Sequence, residues 1–174
     1  LVIEMPASMV AYVMVAVHAG GRHEPDAYAG ISHFLEHMIF SERRAPAALT
    51  ELRQAGALIN GSTDFEITRF HATVRPDQWE QALGAVARMV LAPRFDEAAV
   101  ETERRVILEE MAMGKNHPAA LVLVPMMRRI VPGSPLANLV IGREETVKRI
   151  TAADLRAYWA GYYVPATLVV VAAG

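Results

Sequence analysis

The sequence predicts an α+β fold in which helices pack mainly on one face of an antiparallel or mixed β-sheet. Segments with the period of a helix and segments with the period of a strand both occur, and they do not alternate strictly as they do in parallel α/β folds. Hydrophobic residues make up 53% of the 174 residues and charged residues 21%, which is the balance of a globular chain with a real core.

Five segments are predicted as strands, because they are rich in apolar and β-branched residues and are bounded by residues that favour turns. They are residues 1–4, 9–18, 57–62, 66–74 and 167–172. The third and fourth of these segments are predicted to form a strand pair.

Seven segments are predicted as helices from apolar residues at helical spacing. They are residues 30–40, 47–55, 76–91, 97–113, 119–130, 144–149 and 152–161. In the first, one apolar stripe is formed by Ile31, Phe34, Leu35, Met38 and Ile39. Gly56 is expected to end the second helix, and Asp96 and Thr151 are expected to cap the N-termini of the fourth and the last.

Composition and charge exclude several classes of protein. The net charge of −2 offers no basic surface for nucleic acid, and the absence of cysteine excludes disulfides and thiolate metal sites. No apolar run reaches the roughly 18 residues of a membrane span, so no membrane-spanning helix is expected. The compartment stays open. The alanine- and arginine-rich composition favours a bacterial source, with the cytoplasm or the periplasm as the expected location.

The strongest chemical signal is the H-x-x-E-H sequence formed by His33, Glu36 and His37. Residues i and i+4 of a helix lie one turn apart on one face, so the two imidazoles can bind one Zn²⁺. Glu36 borders the same face and can act as the base that deprotonates the attacking water. The simpler alternative is a pair of surface histidines beside a solvated glutamate on an ordinary amphipathic helix.

A catalytic zinc ion also needs a third protein ligand, and the sequence leaves its identity open. The candidates, all in the helix predicted at 97–113, are Glu101, Glu103, Glu109 and Glu110. Glu103 and Glu110 are two turns apart and share a face, whereas Glu109 points about 100° away from Glu110. The alternative for these glutamates is a solvated helix face paired with Arg104 and Arg105. Periodicity does not choose among them.

Several segments, in order along the whole chain, resemble the pitrilysin family of metallopeptidases, which includes insulysin and the mitochondrial processing peptidases. Residues 30–40 are similar to the zinc helix of that family, residues 58–63 to a substrate-binding strand, and residues 93–96 and 101–110 to its second glutamate helix. Residues 142–146 and 162–170 resemble its closing segments. Residues 41–48 depart from the family pattern, which usually has Gly-Thr there.

The resemblance implies a complete site. His33, His37 and Glu110 would bind one Zn²⁺ per chain, and Glu36 would be the catalytic base. Glu103 would support catalysis without binding the metal, by orienting His37 or the hydrogen bonds of the site. The family position that contacts the substrate backbone falls on Asn60, with Gly61 in place of the usual alanine, and Thr63 closes the same substrate-binding stretch.

The resemblance also implies a function and partners. We expect a zinc-dependent endopeptidase or oligopeptidase that binds an extended peptide as an added strand. The alternative is a non-catalytic or partner-requiring subunit on the same fold. Residues 1–174 are expected to be one N-terminal zinc-binding domain and a fragment of a longer chain. In members of the family, a second, similar domain or a partner subunit closes over the zinc site and forms a clamp with the first. The first residue is leucine, so the natural N-terminus is expected to lie further upstream.

The remaining histidines have no partner at ligand spacing in the sequence. These are His18, His23, His71 and His117. Each is expected to be a structural or an exposed residue.

Overall fold

The computed structural model describes residues 1–40, 47–114 and 118–174. The strands are β1 (Val2–Ile3), β2 (Ala11–Val17), β3 (Leu58–Thr63), β4 (Thr68–Val74) and β5 (Leu168–Ala173). The helices are α1 (Ile31–Phe40), α2 (Ala47–Gln54), α3 (Trp79–Leu91), α4 (Glu97–Gly114), α5 (Pro118–Ile130), α6 (Glu144–Val147) and α7 (Ala152–Tyr162). Every predicted strand and helix is present, with shifts of a few residues at the ends.

The five strands form one mixed sheet in the order β1-β5-β2-β4-β3. β1 runs parallel to β5, and all other neighbouring strands are antiparallel. The predicted pair is confirmed, because β3 and β4 are joined in register from Leu58 opposite Thr73 to Thr63 opposite Thr68. β3 is therefore an edge strand, with β4 as its neighbour on one side.

One face of the sheet is buried and carries the core. In β4, Thr68, Phe70, Ala72 and Val74 are buried, whereas the residues between them are partly exposed. Helix α3 packs on β2 and β4, and α1 packs beside β3. This arrangement confirms the predicted α+β class, with a sheet that covers its apolar face with helices.

The side chains that were expected to cap the N-termini of two helices do so. The Oδ1 atom of Asp96 accepts a hydrogen bond of 2.8 Å from the backbone N–H of Ala99 at the start of α4. Thr151 and Asp154 form a reciprocal capping box at the start of α7. The segment predicted as a helix from residue 76 begins instead with a 3₁₀ turn, Pro76–Gln78, before α3.

Two expectations lie outside the described residues. The departure from the family pattern at residues 41–48 falls mainly on residues 41–46, and His117 falls in the second gap. Within the described ranges, no helix is long and apolar enough to cross a membrane.

Candidate metal centre

Helix α1 carries the H-x-x-E-H sequence and is anchored by its apolar side. Its apolar stripe is buried in the core, as the sequence predicts. His33, Glu36 and His37 lie off this stripe and are only partly buried, so they face the space between α4 and β3. Amphipathic spacing thus places the polar side chains at one exposed groove while the rest of the helix anchors them.

The N-terminus of α1 is held by Glu24, a residue that the sequence analysis missed. Its carboxylate accepts hydrogen bonds from the backbone N–H groups of Gly30, at 2.7 Å, and Ser32, at 2.8 Å. The side chain is nearly inaccessible to solvent, at 4% exposure. Glu24 stands well before the helix in the sequence, so it does not occupy the position at which N-caps are sought.

Helix α4 is held against the rest of the structure by Arg104. Its guanidinium donates hydrogen bonds to the backbone carbonyls of Val147 and Ile150, the second at 2.7 Å, and it also pairs with Glu101 at 3.0 Å. The guanidinium carbon also lies 5.4 Å from the ring centre of Phe34 in α1. Arg104 therefore holds α4 in position against the end of α6 and the residues after it. In this position, the side chain of Glu103 faces His37 of α1.

His33, His37 and Glu110 converge on one point. Oε2 of Glu110 lies 3.4 Å from Nε2 of His37 and 3.8 Å from Nε2 of His33. Neighbouring ligand atoms around a tetrahedral Zn²⁺ are about 3.4 Å apart, given metal–ligand bonds of about 2.0–2.2 Å. The three donor atoms therefore fit a zinc ion with small side-chain adjustments, and three protein ligands are the number that a catalytic zinc site uses.

The other glutamates of α4 occupy different places. Glu109 points to solvent and Glu101 is paired with Arg104, so neither faces the histidines. Glu103 is well shielded, at 14% side-chain exposure, and its Oε2 lies 3.6 Å from Nδ1 of His37. This distance is longer than a hydrogen bond but places a carboxylate behind the imidazole, on the side away from Glu110. The solvated-face alternative holds for Glu101 and Glu109 and is wrong for Glu103.

Burial keeps His33 neutral. Desolvation, followed by the charge of His37, lowers the pKa of His33 to about 4. Its Nδ1 is enclosed and has no hydrogen-bond partner in the part of the chain that the structure describes. A neutral imidazole offers a nitrogen lone pair at pH 7, which is the form that a metal ion requires.

Glu36 lies between the two histidines and the edge strand. Its Oε2 accepts a hydrogen bond of 3.3 Å from the hydroxyl of Thr63 in β3. A methyl group on Gly61 would lie 2.8 Å from Oε1 of Glu36, so the glycine allows the carboxylate to approach the strand closely. Burial raises the pKa of Glu36, and Glu110 raises it further, whereas His37 and the Thr63 hydroxyl oppose the shift. A carboxylate with a raised pKa is a better proton acceptor than an exposed one.

The predicted substrate-contacting residues lie along β3. Asn60 is exposed, and its Oδ1 accepts a hydrogen bond of 2.9 Å from the backbone N–H of Gly61. Gly61 and Thr63 thus border the groove beside Glu36, on a strand whose outer edge is not paired within the described ranges, whereas Asn60 pairs with His71 and lies on the opposite face of the sheet.

Three further histidines lie within the described residues. His71 lies on β4, and its ring stacks on Tyr12 at a centroid distance of 5.4 Å. His18 and His23, in contrast, lie beside each other and beside Glu66. His18 is exposed, as expected, and the proximity of these three residues is an additional finding. Spacing along the chain could not reveal it, because Glu66 comes from a different loop.

A family model and several curated proteins match most of this chain. Residues 1–143 match the family model described as insulinase, peptidase family M16. A probable mitochondrial-processing peptidase subunit beta of Arabidopsis thaliana is 34% identical over 171 residues, which are 97% of this chain and 32% of that protein. The uncharacterized zinc protease YmxG of Bacillus subtilis is 32% identical over 163 residues, which are 92% of this chain and 40% of that protein.

The fold agrees as well. The crystal structure of an M16-like peptidase from Alicyclobacillus acidocaldarius superimposes with a TM-score of 0.89 at 25% identity, over 99% of this chain and 42% of that one. The chain spans 32% and 40% of the length of these two curated relatives. With the family model covering most of its length, this chain belongs to the insulinase family of peptidases, family M16.

Proposed function

We propose that this chain is the zinc-binding half of a peptidase that hydrolyses peptide bonds in extended peptides. The observation that carries the proposal is the convergence of His33, His37 and Glu110 within 4.8 Å of one another, with Glu36 beside them. Two imidazoles and one carboxylate, with an open fourth position, are the ligand set of a catalytic zinc site. Zinc, when bound, supplies Lewis acidity that favours attack of water on the scissile carbonyl.

Glu36 is proposed as the general base. Its carboxylate would accept the proton of the attacking water and then deliver it to the nitrogen of the leaving amine. Thr63 holds one carboxylate oxygen, at 3.3 Å, and leaves Oε1 as the oxygen that accepts the proton. Glu103 would orient His37, because a carboxylate behind a ligating imidazole fixes its tautomer and its ring plane.

The substrate is proposed to bind as an extra strand beside β3. This strand is the sheet edge next to Glu36, with Gly61 and Thr63 beside the carboxylate and Asn60 on the opposite face. Backbone hydrogen bonds would hold the peptide there, so recognition would depend little on its sequence. The absence of a side chain at Gly61 lets the Glu36 carboxylate lie close to this strand, beside the proposed peptide.

A second unit is proposed to complete the enzyme. Glu110 is 45% exposed at the side chain, so the groove is open in this chain alone. Water in an open site weakens the electrostatic effects on which hydrolysis depends. A homologous domain or subunit that closes over the groove would exclude this water, and it fits the partial coverage of the relatives.

The test is peptide hydrolysis by the longest natural form of the protein. We expect cleavage of unstructured peptides, loss of cleavage with a chelator, and recovery on addition of Zn²⁺. Glu36→Gln should retain one zinc ion per chain and lower the rate of hydrolysis by about 10²–10⁴-fold. A zinc-loaded wild-type protein that cleaves no peptide would support the alternative, a non-catalytic subunit on the same fold.

A further inference from the structure

A second group of metal-binding side chains lies on a loop junction at one end of the sheet. His18 directly follows β2, His23 ends the 3₁₀ turn Gly21–His23, and Glu66 lies in the turn between β3 and β4. One ligand atom from each residue lies within 4.8 Å of the others. We propose that His18, His23 and Glu66 form a second metal site, which takes Zn²⁺ or another divalent transition metal that prefers imidazole.

The two loops are already fixed against each other. The backbone N–H groups of Gly21 and Arg22 donate hydrogen bonds to the carbonyls of Asp64, at 3.1 Å, and Phe65, at 2.9 Å. A Cβ atom on Gly20 would lie 2.2 Å from the carbonyl oxygen of Asp64, so only glycine permits this close approach. The backbone therefore places Glu66 beside the histidines without help from a metal ion.

The histidines are held by their own backbones too. The N–H of His18 donates to the carbonyl of Thr167 at 2.8 Å. The N–H of His23 donates to the carbonyl of Gly20 at 2.9 Å, and the carbonyl of His23 accepts from the hydroxyl of Tyr162 at 2.9 Å. A site whose ligand backbones are fixed in advance loses little entropy when it binds an ion.

The side chains leave the required lone pairs available. Arg22 binds Oε1 of Glu66, while Oε2 of the same carboxylate faces His18, whose Nε2 lies 4.0 Å away. The imidazole rings of His18 and His23 meet edge to face, with centroids 4.8 Å apart. Nδ1 of His23 is shielded from solvent and has no hydrogen-bond partner within residues 1–40, 47–114 and 118–174. Burial and the nearby His18 lower the pKa of His23, which favours the neutral ring.

Two imidazoles and one carboxylate suit zinc, copper and nickel better than calcium or magnesium. Water would complete the coordination, because His18 and Glu66 are exposed. A metal ion at this site would have a structural role, because it would link the connection between β2 and α1 to the turn between β3 and β4. The residue after His23 is Glu24, which holds the N-terminus of the helix that carries His33 and His37.

The test separates this site from the first one. In the longest natural form, His33→Ala combined with His37→Ala removes two ligands of the proposed catalytic site. We expect this double variant, stripped of metal, to bind one further Zn²⁺ per chain in a calorimetric titration. Zinc should also raise its Tm by several degrees when it is present at a hundredfold excess over Kd.

Further substitutions in the double variant locate the ion. His18→Ala should weaken zinc binding by at least about tenfold, since even residues behind a ligand contribute that much. Glu66→Gln should also weaken it, and His71→Ala, a histidine elsewhere on the same sheet, should leave it unchanged. His18 is exposed, so its loss should not change the Tm of the metal-free protein.

Two results would overturn the second site. One is a double variant that binds no zinc although its metal-free Tm equals that of the wild type. The other is residual zinc binding that is equally strong with and without His18→Ala and Glu66→Gln. Neither result bears on the proposed peptidase activity, which depends on the other site.

Discussion

The hydroxyl of Thr63 donates a hydrogen bond of 3.3 Å to Oε2 of Glu36, and this bond joins the edge strand of the sheet to the helix of the metal centre. Glu36 is partly buried, and burial raises its pKa. The bond therefore stabilises the ionised form of the carboxylate and fixes its orientation. It also couples the proposed base to the strand on which the peptide is proposed to bind.

Removal of this hydroxyl should impair catalysis without removing the metal. Thr63→Val keeps the side-chain volume and deletes the donor, so we expect kcat to fall by roughly tenfold, the value of one hydrogen bond to a charged group. The zinc content should not change, and Thr63→Ser should restore most of the rate. A valine variant with an unchanged kcat and a raised KM would assign Thr63 to peptide binding instead.

The third ligand can be identified by a matched pair of substitutions one residue apart. Glu110 lies 3.4 Å from His37, whereas Glu109 is exposed on another face of the same helix. We expect Glu110→Gln to lower zinc affinity by more than about a hundredfold, because a ligand is lost, and Glu109→Gln to leave it unchanged. Equilibrium dialysis with zinc analysis measures both. The reverse pattern would show that the ligand assignment is wrong.

The comparison of sequence and structure shows which contacts periodicity can predict. His33 and His37 were predictable, because their proximity depends only on the rise and twist of one helix. The choice of Glu110 over Glu109 required either the family resemblance or the position of α4. That position depends on Arg104, whose bonds to Val147 and Ile150 cross more than forty positions of the chain.

Contacts between distant segments were the ones that the sequence could not predict. The capping of α1 by Glu24 and the approach of Glu66 to His18 and His23 both depend on how loops meet after the sheet forms. The pairing of β1 with β5, from opposite ends of the chain, is of the same kind. Local propensity predicts neither a loop path nor a partner from another strand.

Glu103 should tune the metal centre without being a ligand. Its carboxylate lies 3.6 Å from Nδ1 of His37, on the opposite side of the ring from Glu110. Glu103→Gln should therefore weaken zinc binding by about 10–100-fold, which is less than the loss of Glu110. At saturating zinc the variant should recover part of its activity. Glu101→Gln serves as the control, because Glu101 pairs with Arg104 at the surface. Equal effects of the two substitutions on zinc affinity would exclude an orienting role.

Arg104 should stabilise the fold and the metal centre together. Its side chain is 12% exposed and donates to two backbone carbonyls, one in the last residue of α6 and one three residues later. Arg104→Met removes both donors, so we expect the free energy of unfolding to fall by about 2–4 kcal/mol. Arg105→Met, at an exposed position of the same helix, should change it by less than about 0.5 kcal/mol. Urea unfolding of the zinc-free protein measures the difference, and equal midpoints for the two variants would contradict the role of Arg104.

Glu24 should be a second position outside the metal ligands at which substitution strongly destabilises the fold. It accepts hydrogen bonds from two backbone N–H groups at the start of α1, and both donors would be left unpaired in Glu24→Ala. We expect the free energy of unfolding to fall by about 2–4 kcal/mol, and zinc affinity to fall as well, because α1 carries two of the ligands. Glu80→Ala, at the exposed first turn of α3, is the matched control and should change either quantity little.

The pH dependence of this loss has a definite sign. Burial raises the pKa of Glu24 above its ordinary value of 4.5, against the opposing effect of its hydrogen bonds from Gly30 and Ser32. A carboxyl group with a higher pKa in the folded state contributes stability that is fully present below the unfolded pKa. That contribution is lost as the pH rises through the folded pKa. The difference in unfolding free energy between wild type and Glu24→Ala should therefore be larger at pH 4 than at pH 7. Urea unfolding of both proteins without zinc at the two pH values measures this difference. A larger difference at pH 7 would mean that the hydrogen bonds from α1 outweigh desolvation and lower the pKa instead.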